Sequence, residues 1–317
     1  MQEIIVEIND ERIDTFLAKT LDISRSKAAK MIEDNVLVNN KKVKNSYLVK
    51  ENDKISITEY EEEEIKAIPE KMDLDIVYED DDVIVVNKEN GIVVHPAIGN
   101  THHTLVNGLL YHSKELSSKN GEFRPGIVHR IDAYTTGLLM IAKNDKAHDF
   151  LAKQLNEKTV HRKYIALVWG VINNDTGTID APIGRDNLDR KKMAVISGGK
   201  EAITHFKVLK RYKNATLIEL KLETGRTHQI RVHMNYIGYP VVNDPVYGRR
   251  KLIDNTGQCL HAKELGFIHP TTKKYMEFSC ELPICFTNIL KKFEEEIWII
   301  QYQNKMKNLL WSYCIIL

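Results

Sequence analysis

Between residues 73 and 280 the chain returns again and again to runs in which apolar and polar side chains alternate. The clearest are DIVYEDDDVIVVNK, RKYIALVWG, AITHFKVLKRY, ATLIELKLETG and KYMEFSC. Helical periodicity is rarer, in TLVNGLLYH and KAHDFLAKQLNE. A period of two places successive side chains on opposite faces of a strand, and parallel strands need long crossovers that most of these runs lack. The pattern therefore predicts an α+β fold on a mainly antiparallel mixed sheet, with helices segregated rather than strictly alternating.

The first 58 residues read differently. Two helical segments, ERIDTFLAKTLD and SRSKAAKMIEDN, precede an alternating run, VLVNNKKVKNSYLVKENDKISI, which predicts a small α/β unit with Ser24 placed to cap the second helix. Residues 59–72, EYEEEEIKAIPEKM, show neither periodicity and read as an acidic linker. The larger domain is expected over 73–292. Residues 293–317, with Trp298, Ile299, Leu309 and Trp311, read as a divergent tail, best formed as an amphipathic helix packed on the body.

Net charge is +1, from 45 Lys and Arg against 44 Asp and Glu, so any nucleic-acid binding must come from local segregation of charge. The small unit has such segregation. From Ser24 to Lys44 it carries Arg25, Lys27, Lys30, Lys41, Lys42 and Lys44 against only Glu33 and Asp34, a basic face suited to phosphates or simply to water. The acidic N-terminus lacks the features of a signal peptide and no apolar run spans a bilayer, so a cytoplasmic protein with no membrane partner is expected. Cys259, Cys280, Cys285 and Cys314 form no CxxC pair, which points to thiols rather than a disulfide or zinc framework.

The chemistry concentrates in three stretches. In RPGIVHRIDAYTTGLLMIAKN, His129, Arg130 and Asp132 interrupt an apolar frame. On this segment alone Asp132 is equally a capping residue, a partner of Arg130, or a carboxylate held ionised by a fixed cation. The stretch LETGRTHQIRVHMNYIGYPVVNDPVYG supplies Arg226, His228, Arg231 and His233 across a turn and a helix, with Thr224 or Thr227 as possible caps. HRKYIALVWG places Tyr164 in a strand beside Arg162 and Lys163, where packing is the simplest role. A hydrolase metal site on His129, Asp132 and His228 would need a third ligand at metal spacing, which is absent, and no phosphate-binding glycine motif occurs.

Taken in order, these stretches, with NKENGIVVHPAIGN before them and APIGRDNLDRKKMAVISGGKEAITHF between, resemble the RluA/RluD family of pseudouridine synthases, RluD type, over Glu11 to about Pro283. The N-terminal unit resembles the S4 RNA-binding domain. Asn35 and Asn52 stand where that family has glycine, and Asn39-Asn40 where it has Asn-Gly, a change the left-handed tolerance of Asn should accommodate. The resemblance implies isomerisation of uridine to pseudouridine in large-subunit rRNA by a monomer without cofactor or metal. It makes Asp132, Tyr164 and Arg231 catalytic, and Arg130, His129, Arg25, Lys27, Arg226 and His228 RNA-binding. Two departures stand out: Ala133-Tyr134 replaces the usual polar pair after the aspartate, and the pattern ends after Pro283.

Overall fold

The structure, a computed structural model, describes residues 2–23, 25–58, 67–97, 99–119, 121, 124–248 and 252–295. Ser24, most of the acidic run and the tail beyond 295 lie outside these residues, so the expected cap and tail helix fall outside them too. The chain divides into two compact units, Met1–Glu64 and Ile65–Leu317.

In the first unit, β1 (Gln2–Ile5), α1 (Ile13–Thr20), α2 (Arg25–Asp34), β2 (Val36–Val38) and β3 (Lys54–Ile57) build an antiparallel sheet of order β1-β3-β2. Ile13 and Leu17 from α1, and Ala28 and Ile32 from α2, lie four apart and face one core with Val36, Val38, Val49 and Ile55. The alternating run expected after α2 breaks into two short strands because Asn39 and Asn40 adopt φ of 49° and 62° and fold Lys41 back on Val38. Asn52 is also left-handed, φ 69°, whereas Asn35 needs no positive φ. A buried Asp53 ties the turn together by accepting from Asn39, from the Tyr47 hydroxyl and from the Lys50 amide.

The second unit contains β4 (Ile76–Glu79), β5 (Val83–Lys88), α3 (Leu105–His112), β6 (Thr136–Ala142), α4 (Asp145–Asn156), β7 (His161–Trp169), β8 (Thr176–Asp180), β9 (Ile183–Arg185), β10 (Met193–Val195), β11 (Ile203–Arg211), β12 (Ala215–Leu222), α5 (Gln229–Tyr236), β13 (Leu260–Ile268) and β14 (Tyr275–Ser279). The large sheet runs β4-β5-β6-β13-β7-β12-β11-β8, with β14 on β13 and a separate β9-β10 hairpin. Each pairing is antiparallel except β6 with β13. The α+β expectation with a mainly antiparallel mixed sheet is thus realised.

Alternation along β5 shows how the sheet is sandwiched. Ile84 and Val86 join the core that contains Leu105 and Leu109 of α3, while Val83 and Val85 join the one that contains Ala147 and Leu151 of α4. Residues 284–295 are helical and bring Phe286, Ile289 and Phe293 against Ile165 and Leu167, so the helix crosses the expected 292/293 boundary. Residues 67–72, read as linker, lie on α3: Glu70 donates its amide to Asn107, whose side chain donates to Ile68.

The one parallel junction needs Gly137. Its φ is +106°, and a Cβ there would run into the Ala262 carbonyl of β13. Gly137→Ala should therefore lower stability by at least about 2 kcal/mol in urea unfolding followed by circular dichroism, since both strain and overlap oppose it.

Candidate active site

The loop ahead of β6, the middle of β7 and the segment entering α5 meet around a cleft of about 320 Å³, lined by Asp132, Tyr164, Arg226, His228 and Arg231 among others. That volume lies in the range of pockets that enclose a small ligand. At its centre Arg231 Nη1 donates to Asp132 Oδ2 at 2.8 Å, joining residues 99 positions apart. The alternatives open in the sequence are thereby decided: Asp132 caps no helix, and Arg130 instead donates to Thr227 Oγ1 at 3.1 Å.

Arg231 is gripped from behind. Its Nε and Nη2 donate to the two carboxylate oxygens of Asp244, at 2.7 and 2.9 Å, and its side chain is 4% exposed while that of Asp244 is 0%. Asp244 also accepts the amides of Val246 and Tyr247. Burial opposes charge on both partners, but the fork outweighs it, so Arg231 is held above its usual pKa and Asp244 below. The fork leaves Nη1 for Asp132, whose side chain is 23% exposed and so open to a ligand.

His228 begins α5 with φ +57° and no side-chain cap; neither Thr224 nor Thr227 fills that role. Thr224 instead donates to Gln229 Oε1 and accepts from the Ile203 amide. Burial pushes His228 below its ordinary pKa, giving a neutral ring. The Tyr247 hydroxyl accepts from the Met193 amide and lies 2.8 Å from His228 Nδ1, the acceptor for its own proton, which leaves the hydrogen on Nε2, 3.8 Å from Asp132 Oδ1. Tyr247 also lies under the Arg231 guanidinium, 5.1 Å from its centre.

Tyr164 is 7% exposed, its pKa raised by burial, and no hydrogen bond among the described residues engages its hydroxyl. His129 Nε2 accepts the Met140 amide at 3.1 Å, and burial followed by the nearby Arg162 charge pushes its pKa down to about 3, so it is a neutral brace for β6 at the cleft wall. Arg226 Nε is held by the Glu201 carbonyl. His233 is sealed between Thr204 and the Ala181 carbonyl. In the first unit, Arg25 is committed through Nε and Nη2 to the buried Asp14, with its guanidinium still half-exposed, and Lys27 is half-buried. Among the described residues no group of three His, Cys, Asp or Glu could hold a metal ion.

Asp244, Tyr247 and Lys88 were not singled out from the sequence. Asp244 did have a signal, an Asp-Pro pair ahead of a turn, where Asp characteristically accepts amides two and three residues on. Lys88 shares the parity of Ile84 and Val86 on β5 and is accordingly 1% exposed. Its Nζ donates to the carbonyls of Glu89 and Ala133, both at 2.7 Å, and so clamps the peptide next to Asp132. Thr135 and Thr136, bonded to Gln258 and His261, fix the other end of that loop.

A loop-borne carboxylate anchored to a buried arginine in an open cleft, with a tyrosine on the same wall and arginines at the rim, describes an enzyme that acts on an anionic polymer. Residues 82–236 match the RNA pseudouridylate synthase family and residues 11–55 the S4 domain. An uncharacterized RNA pseudouridine synthase of Bacillus subtilis is 56% identical over 87% of this chain and 92% of its own. The ribosomal large subunit pseudouridine synthase D of Pseudomonas aeruginosa is 40% identical over 93% and 95%. The human RNA pseudouridylate synthase domain containing 1 superposes with a TM-score of 0.55 at 28% identity, over 70% of this chain and 86% of that one. The chain belongs to the RluA/RluD family of RNA pseudouridine synthases, and carries an S4 domain.

Two consequences can be measured. Asp244→Asn breaks the charge balance of a buried fork and should cost about 3–5 kcal/mol of unfolding free energy, with activity falling as Arg231 loses its orientation; urea unfolding and a uridine-isomerisation assay read the two. Burial, against the opposing charges of Asp132 and Glu89, pushes Lys88 down to about 7. The unfolded chain, with an ordinary lysine near 10.4, then binds more protons between these values, so stability rises as pH increases from about 7 toward 10. That rise should flatten in Lys88→Met, followed by denaturant midpoints across the range.

Proposed function

We propose that this enzyme isomerises specific uridines of large-subunit rRNA, with Asp132 acting on a uridine turned out of its helix. The observation that carries this reading is the Arg231 bridge, which holds Asp132 at the open face of a cleft that also presents Tyr164. The substrate follows the printed role of relatives such as the ribosomal large subunit pseudouridine synthase D of Pseudomonas aeruginosa and of Zymomonas mobilis, the latter 50% identical over 68% of this chain.

A uridine cannot be isomerised inside a duplex, because the ring must detach, turn and rejoin. The face of Tyr164 replaces the lost stacking, and Arg130, exposed at the rim, occupies the space the base leaves. His129, Arg226 and His228 border the same cleft, while Arg25 and Lys27 belong to the S4 unit, which adds affinity for RNA phosphates. The N1–C1′ bond breaks and a C5–C1′ bond forms; the proton leaves C5 and one is gained at N1. Atoms balance within the nucleotide, so the reaction consumes no redox partner. The enzyme works as a monomer in the cytoplasm, where its RNA is assembled.

RNA transcribed with tritium at uridine C5 tests this directly. The wild type should release tritium from large-subunit rRNA, while Asp132→Asn should release none yet bind the RNA as tightly. Turnover by Asp132→Asn would sink the assignment, and tritium release from tRNA alone would move the substrate.

A further inference from the structure

Arg162 stands outside every pairing described so far. Side chains two apart on a strand share a face, so Arg162 projects from β7 on the side of Tyr164 and lines the cleft. Lys163, on the opposite face, is neutralised by Glu264 at 2.8 Å and Glu219 at 3.5 Å. Arg162 has no such counterpart. It is 8% exposed, its Nε is sealed from solvent without a partner, and among the described residues no carboxylate or carbonyl pairs with its guanidinium.

The chain also makes room for it. The loop ahead of α5 passes over the guanidinium at Gly225, where a Cβ would lie 2.7 Å from Arg162 Nη1. Any larger residue would displace the side chain. An unpaired buried cation is a standing cost to the fold. The one carboxylate at the centre of the cleft, Asp132, is already engaged by Arg231. The anion that completes Arg162 must therefore come with the substrate.

We propose that Arg162 binds a phosphodiester adjoining the target uridine and so sets the depth at which the flipped nucleotide enters the cleft, a role that rests on the functional reading above. A guanidinium fork matches phosphate oxygens two at a time. A uracil carbonyl would satisfy one N–H but leave the charge uncancelled. Arg162 is in this view a binding residue, separate from the Asp132 chemistry.

The test is single-turnover tritium release from transcribed large-subunit rRNA, at graded enzyme and salt concentrations, for wild type, Arg162→Met and Arg162→Lys. Arg162→Met should raise the half-saturating concentration about tenfold or more, as expected for a lost charged hydrogen bond, while the rate at saturation changes little. Its log-log salt dependence should be shallower by about 0.7–0.9, the value of one phosphate contact. Arg162→Lys should keep the slope and lose part of the affinity.

Thermal unfolding supplies a readout that a merely structural arginine would move the other way. Relieved of an uncompensated charge, Arg162→Met should melt at the same temperature or higher. An unchanged salt slope, a lower melting temperature or failure of Arg162→Met to fold would each overturn the proposal. Wild-type protein that released no tritium would sink the functional reading instead, and the salt slope of equilibrium binding to the same transcript would then decide Arg162.

Discussion

Arg231 sits between two carboxylates and can serve only one of them with its full fork. The fork goes to Asp244, which is sealed, and the remaining Nη1 goes to Asp132, which is open. This division of labour sets the rest of the site. A guanidinium paired only with Asp132 would be free to swing with it; fixed from behind, it holds the carboxylate in one place without covering it. Tyr247 closes the arrangement by packing on the guanidinium while its backbone amide feeds Asp244 and its hydroxyl orients His228. A single buried cation thus anchors the loop before β6 to the first turn of α5.

The loop itself is held from the sheet side by a second buried cation of different character. Lys88 is a point charge with flexible reach, and it meets backbone carbonyls rather than a carboxylate. The contrast is instructive: guanidinium where two oxygens must be oriented together, ammonium where a peptide must only be pinned. The departure after the catalytic position, Ala133-Tyr134, falls where the Ala133 side chain is irrelevant to the clamp, because Lys88 engages its carbonyl. Tyr134 is partly exposed and packs at Gly257, away from the Arg231 bridge.

Much of this architecture was legible in the residues. Alternation in DDVIVVNK, RKYIALVWG and ATLIELKLETG marked strands that are present, and the helical stripes of TLVNGLLYH and KAHDFLAKQLNE became α3 and α4. Asp132, Tyr164 and Arg231 were named in advance, and the structure brings all three into one cleft. Where reading failed, pairing partners were the reason. Strands β6 and β13 are apolar on both faces over much of their length, so no period distinguishes them; and β1 is a strand because β3 offers it an edge. Asp244 looked like a turn residue and is one, but its second role depends on an arginine thirteen positions away. Charge alone also misled: Arg25 looked like free basic surface, and its guanidinium is held by the buried Asp14.

The parallel pairing of β6 with β13 has a temporal meaning. His261 finds Thr136 across 125 positions of chain, and the Asp132–Arg231 contact spans 99. Contacts of such separation form late, after the entropy of closing long loops has been met by nearer pairings such as β4 with β5 and β11 with β12. A growing chain emerging from its own ribosome therefore carries strands, helices and an RNA-binding unit well before it carries a poised carboxylate. The reactive centre comes into being only when the last third of the protein arrives, so that incomplete chains have nothing with which to attack the RNA around them.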